Sequence, residues 1–385
     1  MVSRLLLLAA AAAAVHGVTC GNDADCSLNG VCINAACVCD AAWETGTGAR
    51  LGCSTLSLLP AARGVGLHSL DGGRNTSSWG GSVLQDEVTG VWHMFASELT
   101  AHCGIQSWTY NSHVVHATAP SPLGRFVRDG EFSGVFSHEP TAVRDPSTRE
   151  WAVFYTAATP SGRPVCNCSD GSSTPACEGL PKFGKQGPTF VTWAPSPVGP
   201  WSPPLQLFSE GARQADTNLA PFIFPNGSLL GIWRTHPGAA PGSIPHLVTA
   251  THWKNASSYV WSSDPILPLS LPEDVGLEDP HLYRDARGAF HALFHAFSLN
   301  ATAGDFGGHA FSRDGRTWTW GGLAYSSRGA YADGSAFDFL GRQRPHLVFE
   351  EGGAAPLGLT NGVIYKDASI AGGDASFTFV QPLRR

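Results

Sequence analysis

Short apolar runs joined by polar turns recur along this chain. The clearest copy is Leu277–His295, which holds an extended run, a polar reversal and a mostly apolar return. This pattern predicts a β-hairpin. Side chains alternate along a strand, so His291 and His295 fall on one face of the returning strand. Two carboxylates, Glu278 and Asp279, stand immediately before the first strand.

The hairpin occurs five times, which makes the chain a repeat protein. The first strands begin at Ser82, Pro140, Pro221, Pro280 and Pro345. Their spacing is about 60 residues, except where a polar, cysteine-containing insertion at residues 161–187 lengthens the second repeat. Three copies continue into a third strand and a tight turn that an aromatic side chain closes, as in Ser121–Phe126, Ser196–Trp201 and Asp314–Trp318.

Four strands in each of five units predict an all-β fold, a five-bladed β-propeller. A long β-sandwich is the alternative, but a sandwich does not require a fixed repeat that carries the same landmarks. The predicted boundaries are 76–385 for the propeller and 56–75 for a linker that precedes it.

The first residues have the pattern of a secretory signal peptide. An early Arg4 precedes an apolar run from Leu5 to Val15, and small residues precede a cleavage point at Val18. The peptide is therefore predicted to span residues 1–17, and the protein is predicted to be secreted and extracellular. A membrane anchor is the alternative, but this run is too short to cross a bilayer and no later run is long enough, so no membrane span is expected.

Composition agrees with an extracellular location. Five tripeptides match the N-glycosylation pattern, with acceptors at Asn75, Asn167, Asn226, Asn255 and Asn300. The formal net charge is −7 and the basic residues do not cluster, which argues against nucleic acid as a partner. The ten cysteines are expected to be fully paired in an oxidising compartment.

Residues 18–55 form a separate small module with six cysteines, Cys20, Cys26, Cys32, Cys37, Cys39 and Cys53. A segment this short cannot build a sufficient hydrophobic core and must be cross-linked, although spacing alone allows fifteen pairings. The stretch Asn29–Cys32, the pair Cys37-Val-Cys39 and the later Trp43 and Gly46 resemble an epidermal-growth-factor-like (EGF-like) module.

That resemblance implies pairing of the first cysteine with the third, the second with the fourth and the fifth with the sixth. Calcium-binding members of that family carry acidic residues before the first cysteine, whereas this chain has Val18 and Thr19 there, so no calcium is expected. Such modules usually act as spacers, and the alternative is a surface for contact with another protein.

The four other cysteines are Cys103, Cys166, Cys168 and Cys177. In a secreted chain they are predicted to form two disulfides that tie the insertion of the second repeat to itself and to the loop Ala101–Gly104. A zinc site is the poorer alternative.

Several motifs of the large domain resemble glycoside hydrolase family 43. They are Glu278-Asp279-Pro280, the Ser-Pro-x-Gly-x-aromatic turns, and Ser312–Trp318. The resemblance implies a five-bladed propeller in which each innermost strand begins at a central funnel. It also implies that a base, a carboxylate that tunes pKa and a general acid stand at those strand starts on blades one, two and three.

The residues before each repeat are therefore the candidate site. The candidate catalytic acids are Glu139, Glu278 and Asp279, and the candidate substrate-binding residues are Trp79, His138, Asp216, Asn218 and Arg344. Two carboxyl groups suit glycoside hydrolysis, because one donates a proton to the leaving oxygen while the other activates water or attacks the sugar. Trp79 offers a flat platform for a sugar ring, and His138 and Asn218 offer hydrogen bonds to hydroxyls.

Blade one departs from the family pattern, since Gly81 and Ser82 occupy the place of the base. Either the carboxyl pair has moved to blades two and four, or hydrolysis has been lost and binding retained. Two functions follow: a cofactor-free glycoside hydrolase that acts on a polysaccharide or glycan, or a non-catalytic carbohydrate-binding or adhesion protein. The alternative is a purely structural role, in which these residues only fix the orientation of the blades.

His291 and His295, with His309 on the next strand, are conceivable metal ligands. Histidines on one face of a propeller strand more often pack and form hydrogen bonds, so no metal site is predicted.

Overall fold

The computed structural model describes residues 18–67, 77–157, 165–168, 176–179, 188–207, 218–235, 244–298, 306–350, 352–353, 355–366 and 375–385. The predictions that concern residues 1–17, Asn75, Asp216 and Asn300 lie outside these ranges. Among the residues described, no helix is long and apolar enough to cross a membrane.

The small module consists of short strands and turns held by disulfides. Its strands are β1 (Gly30–Ile33), β2 (Ala36–Cys39), β3 (Trp43–Glu44) and β4 (Thr55–Leu56), preceded by a 3₁₀ turn at Asp23–Cys26. The disulfides are Cys20–Cys32, Cys26–Cys37 and Cys39–Cys53. This is the pairing that the EGF-like resemblance implies.

Five antiparallel sheets follow, which confirms the predicted all-β, five-bladed propeller. Blade one has β5 (Ser78–Gln85), β6 (Trp92–Leu99), β7 (Ser112–Ala119) and β8 (Val127–Glu131). Blade two has β9 (Ser137–Arg144), β10 (Trp151–Ala157), β11 (Thr189–Ala194) and β12 (Leu205–Gln206). Blade three has β13 (Ala220–Ile223), β14 (Leu229–Thr235), β15 (Ile244–Ala250) and β16 (Tyr259–Pro265).

Blade four has β17 (Val275–Arg284), β18 (Phe290–Ser298), β19 (Phe306–Ser312) and β20 (Thr319–Ser326). A small hairpin, β21 (Arg328–Ala330) and β22 (Ala336–Asp338), leads to blade five, which has β23 (Gly341–Phe349), β24 (Pro356–Ile364) and β25 (Ser376–Pro382). The described residues of the propeller include short helical turns at Ile105–Ser107, Trp108–Asn111 and Ala256–Ser258.

Both ends of the large domain close the ring at blade five. Leu67 bridges antiparallel to Thr378 on β25, and Leu58 bridges to Leu383. Residues 58 and 67 belong to the segment predicted as a linker, and these bridges attach them to the propeller. Closure of this kind leaves only short, protected sheet edges.

Strand β18 shows why the inner strands read as nearly continuous apolar runs. Both of its faces are buried, because each blade packs between two neighbours. Ala292 and Phe294 face the cluster that contains Ile232 of blade three. Leu293 points the other way, into the cluster that contains Leu359 of blade five. Each fully buried Leu or Phe contributes about 1.5–3 kcal/mol to folding.

Prolines do not mark the repeat equally in all blades. In blade two Thr141 pairs with Phe154, and in blade three Ala220 pairs with Ile232 at the corresponding place. Pro221 is therefore two residues nearer the turn than Pro140. The prediction that Ser82 and the four prolines begin the first strands is wrong, because those strands begin one to five residues earlier. The innermost strand is a sheet edge, where a missing N–H is tolerated at more than one position.

The predicted disulfides of blade two are confirmed. Cys103 pairs with Cys168 and Cys166 pairs with Cys177. The side chain of Asn111 adds hydrogen bonds to both the N–H and the carbonyl of Cys166. The insertion is thereby fastened to the loop that follows β6. Among the cysteines, none is free.

Candidate active site

A β-bulge at the start of the innermost strand positions the candidate residues. In blades one, two, four and five the pairing between the first two strands slips by one residue at this point. Glu139, Asp279 and Arg344 occupy the equivalent bulge position, with φ of 56°, 53° and 51°, and Gly80 takes it in blade one with φ of 62°. Bulges redirect a side chain, and left-handed backbone at non-glycine residues is costly and concentrates at functional sites.

Three of these side chains meet at the base of the funnel. Arg344 places one guanidinium nitrogen 3.7 Å from Oε2 of Glu139 and 3.8 Å from Oδ1 of Asp279. The backbone N–H of Arg344 also donates to Oδ2 of Asp279 at 3.3 Å. Asn218, at the matching position of blade three, donates its side-chain N–H to Oδ1 of Asp279. Four blades thus contribute to one polar network.

Asp279 is the most deeply placed of the acids. Its side chain is 5% exposed. Burial, reinforced by the negative charge of Glu139, raises the pKa of Asp279 to about 6, although Arg344, His295 and Arg234 oppose the shift. A buried carboxyl of this kind holds its proton more firmly than a carboxyl in water.

Glu278 is more accessible and has two partners from other strands. Its side chain is 22% exposed. Arg234, near the end of β14, donates to Oε2, and Nδ1 of His295 lies 2.9 Å from Oε1. A neighbouring cation favours the ionised form of a carboxyl, so Arg234 stabilises Glu278 as a carboxylate.

Glu139 faces the same cavity from blade two. Ser97 accommodates the bulge by accepting the N–H of Glu139 on its hydroxyl oxygen at 2.9 Å. Nε2 of His138 lies 3.8 Å from Oε1 of Glu139, and Nδ1 of His138 is 2.5 Å from the hydroxyl of Ser112. His138 is in turn stacked on Trp108, with ring centroids 5.1 Å apart.

The cavity above these groups has a volume of about 240 Å³. Its lining comprises Trp79, Ile105, Gln106, Trp108, His138, Glu139, Arg234, Glu278, Asp279, Gln343 and Ile364. The lining is mostly polar, with the apolar side chains of Trp79, Ile105, Trp108 and Ile364 among it. Convergence of polar and charged groups on one concave site is a feature of ligand-binding sites.

The carboxyl groups are close neighbours. Because Glu139 and Asp279 both lie near one nitrogen of Arg344, their contacting oxygens are at most about 7.5 Å apart. Glu278, Asp279 and His295 bring one ligand atom each to within 4.8 Å of one another. This trio could hold a cation, but Arg234 and Asn218 already engage its two carboxylates, so we assign no metal to it.

Most of the sequence-predicted residues come together here. Glu139, Glu278 and Asp279 line the cavity with Trp79 and His138, while Asn218 and Arg344 contact Asp279 from below. Trp79 is only 4% exposed and lies against Gly362, so it forms a wall more than an open platform.

Sequence reasoning missed Arg234 and Trp108. Arg234 follows the apolar run of β14. A single charged residue near the end of a buried strand could have indicated a functional side chain. Trp108 belongs to the loop that the Cys103–Cys168 disulfide restrains, and no repeat marks it. His295, which was considered only as a metal ligand, instead contacts Glu278.

Comparison with solved structures identifies similar folds. The chain resembles the catalytic domain of a family 62 α-L-arabinofuranosidase from Coprinopsis cinerea, with a TM-score of 0.56, 13% identity, and coverage of 86% of this chain and 97% of that one. It also resembles Zg3597, a family 117 glycoside hydrolase from Zobellia galactanivorans (TM-score 0.54, 10% identity, 85% and 89% coverage). A thermostable family-43 glycoside hydrolase is similar too (TM-score 0.54, 13% identity, 84% and 93% coverage).

No protein-family model and no curated protein matches the chain. The structural likeness shows the fold, the five-bladed β-propeller. Sequence identity this low does not extend to activity.

Proposed function

We propose that this protein is a glycoside hydrolase that cleaves a polysaccharide or glycan in the propeller funnel without a cofactor. The observation that carries the proposal is the convergence of Glu139 and Glu278 on one cavity whose floor is the Asp279–Arg344 network. The similar folds of glycoside hydrolases support it by analogy.

The two glutamates take the chemical roles. Arg234 and His295 stabilise the ionised form of Glu278, which acts as the base or the nucleophile. Glu139 supplies the second carboxyl group of the pair, because it lines the same cavity as Glu278. Asp279 is a positioning residue, because only 5% of its side chain is exposed at the floor of the cavity and it orders Arg344 and Asn218.

The walls hold the sugar in place. Trp108 is the more exposed of the two funnel tryptophans and supplies an apolar face, while Trp79 is a buried part of the cavity wall. Gln106, Gln343 and His138 line the same cavity and supply hydrogen bonds to hydroxyls.

The test is release of reducing sugar from a panel of neutral plant and algal polysaccharides that includes arabinan and β-1,3-galactan. The proposal expects release from at least one of them. If the protein binds a glycan in the funnel but releases nothing from any, the non-catalytic carbohydrate-binding function replaces the enzymatic one. Gly80 at the bulge of blade one is the observation that favours this second function, because it leaves that blade without an acid.

The cellular setting is part of the same proposal. We propose secretion through a signal peptide at residues 1–17, glycosylation of the acceptor asparagines, and an EGF-like identity for the module. Asn167, Asn226 and Asn255 are exposed, which supports their modification. Mass measurement of the secreted protein before and after removal of N-glycans tests secretion, signal-peptide cleavage and glycosylation. It does not test the EGF-like identity of the module.

The module is proposed to be a docked element more than a flexible spacer. Arg287 on the turn after β17 donates to Oδ2 of Asp40 at 2.5 Å and to the carbonyl of Leu28 at 2.6 Å. Trp43 packs against His309, with ring centroids 4.7 Å apart. Contact with another protein remains a proposal for the faces of the module that point away from blade four.

A further inference from the structure

The cleft between the small module and blade four is a second cavity, separate from the funnel. One wall is the module loop at residues 46–51, the other is the start of β20, and the connection at residues 268–273 closes one side. Its volume is about 670 Å³, against about 240 Å³ for the funnel. We infer that this cleft is a second carbohydrate-binding site, which holds an uncharged segment of the polysaccharide away from the point of cleavage.

Trp320 supplies the more exposed of the two tryptophan surfaces in the cleft. Its indole N–H donates to Oε2 of Glu273 at 2.7 Å, which fixes the ring. The ring lies against Gly308, where a Cβ would come within 2.4 Å of Cη2, so glycine is what lets the indole lie on the sheet. The side chain remains partly exposed and lines the cleft. A fixed, partly exposed tryptophan offers a large apolar surface at little entropic cost.

The rest of the lining suits a neutral, hydroxyl-rich ligand. Glu273 and Arg50 contribute one charge of each sign, and Glu273 is already engaged by Trp320. Thr47, Ser270 and Thr319 add hydroxyl groups that both donate and accept hydrogen bonds. Sugars combine apolar C–H faces with hydroxyls, which is the chemistry that this lining matches.

The edge of blade four disfavours a peptide as the occupant. A peptide that adds to a sheet requires a regular row of free backbone groups. The pairing of β20 with β19 slips twice, between Gly307 and Gly308 and between His309 and Ala310, and Gly322 has φ of 112°. Bulges of this kind interrupt the ladder and turn the edge away from strand addition.

The module side of the cleft begins with the small residues at 46–49 and ends with Arg50 and Leu51. Gly48 has φ of 73° and open space where a Cβ would lie, and Ala49 is its neighbour in the lining. The loop therefore bounds the cleft without filling it. A large side chain at Ala49 would fill the cleft from the wall opposite Trp320.

The test uses the full chain with Glu278→Gln, so that polysaccharide is bound but not cut. Mobility is measured in native gels that contain arabinan or β-1,3-galactan. Trp320→Ala should weaken the apparent affinity about tenfold or more, the usual scale for loss of a central tryptophan. Trp320→Phe should have a smaller effect, and Ala49→Tyr should weaken binding without altering blade four.

Trp261→Ala is the matched control, because Trp261 is 44% exposed but lies on β16 outside the cleft. It should leave retardation unchanged. Circular dichroism and melting temperature identify any variant that has lost its fold. If Trp320→Ala does not fold, the effect of Ala49→Tyr on retardation tests the inference instead. Equal retardation of Trp320→Ala, Ala49→Tyr and the control would overturn the inference, as would absence of retardation by either polysaccharide. A Trp320-dependent shift produced by poly-L-proline alone would overturn it in favour of a peptide site.

The sugar class rests on the proposed function, and the experiment separates the two. Two results together support a site distinct from the funnel. Trp320→Ala added to Glu278→Gln should lose retardation, and Trp320→Ala with Glu278 intact should release reducing sugar from short oligosaccharides as fast as wild type. If wild type releases no sugar but retardation still depends on Trp320, the hydrolase proposal is refuted and the inference of a binding site in the cleft stands. If wild type releases sugar but retardation does not depend on Trp320, the hydrolase proposal stands and the binding site in the cleft is refuted.

Discussion

Asn218 of blade three donates a side-chain hydrogen bond to Asp279 of blade four across the floor of the funnel. The two residues are at the equivalent position of neighbouring blades, so the repeat itself brings an amide to a buried acid. Asp279 also contacts Arg344 of blade five. One carboxyl therefore joins three blades, and its ionisation affects both stability and the site.

The first prediction concerns the pH dependence of stability that Asp279 causes. Its folded pKa is raised to about 6, above the value of 3.8 for an unperturbed carboxyl. The stability it contributes is therefore present below about pH 4 and is lost as the pH rises through about 6. Melting temperatures of wild type and Asp279→Asn, measured from pH 4 to 7, should diverge, with wild type falling relative to the variant. Parallel curves would contradict the buried position of this acid.

The second prediction tests the working carboxyl pair. Glu139→Gln and Glu278→Gln keep the shape of the side chain but remove the acid or base, so each should lower turnover about 10²–10⁴-fold. Sugar binding and melting temperature should change little. Glu350→Gln is the control, because Glu350 is exposed and outside the funnel. If activity is detected and survives both substitutions, the acids are wrongly assigned.

The third prediction concerns two histidines beneath the module. Nδ1 of His291 lies 3.2 Å from Nε2 of His309, and His309 contacts Asn29 of the module at 3.4 Å. Burial lowers the pKa of both rings, that of His309 well below 6.5, although Asp285 and Asp40 oppose the shift for His291. The stability they contribute is present above about pH 6.5 and is lost as the pH falls toward the folded values.

The corresponding measurement compares melting temperature between pH 7.5 and 5. Wild type should lose more stability on acidification than His309→Gln, whose side chain cannot gain a charge in this range. His252→Gln is the control, because His252 is exposed on blade three. The hydrogen-exchange protection factors of residues 20–53, which are corrected for the slower intrinsic exchange at acid pH, should fall on acidification in wild type. An identical pH response in wild type and His309→Gln would show that the buried pair is not responsible.

The fourth prediction concerns the loop that carries Ile105 and Trp108. The Cys103–Cys168 disulfide has a sequence separation of 65, whereas Cys166–Cys177 has one of 11. Replacing the first pair with serines should cost about 2–4 kcal/mol of stability and should raise KM, because the funnel wall is no longer restrained. Replacing the second pair should have the smaller effect on KM. Denaturation and steady-state kinetics of the two double variants provide the comparison, and equal KM values would argue against a role for the loop in binding.

The sequence determined the architecture because the information for it is local. Alternating apolar positions and turn residues specify hairpins, and five similar hairpins at a common spacing specify a propeller. Cysteine spacing likewise limited the module to a cross-linked unit, and a family resemblance supplied its pairing. The charged residues before the inner strands could be identified for the same reason, since the repeat gives them one shared position.

Only the tertiary structure decided which groups meet around the acids. Arg234 lies on the second strand of its blade, and its contact with Glu278 depends on how blades three and four are packed. The two-residue displacement of Pro221 relative to Pro140 has the same origin, because strand register is set by pairing with β14 and not by the proline. Trp108 lies in a loop that the Cys103–Cys168 disulfide restrains, and that disulfide joins residues far apart in the chain.

The place of the small module was also beyond the sequence. Its cysteines predict how it is held together, but not that Trp43 and Asn29 would pack on a buried histidine of blade four. That docking creates the cleft beside Trp320. Local patterns specify elements because they act within a few residues, whereas a site between elements is decided by shape and charge complementarity between surfaces that the chain brings together only when folded.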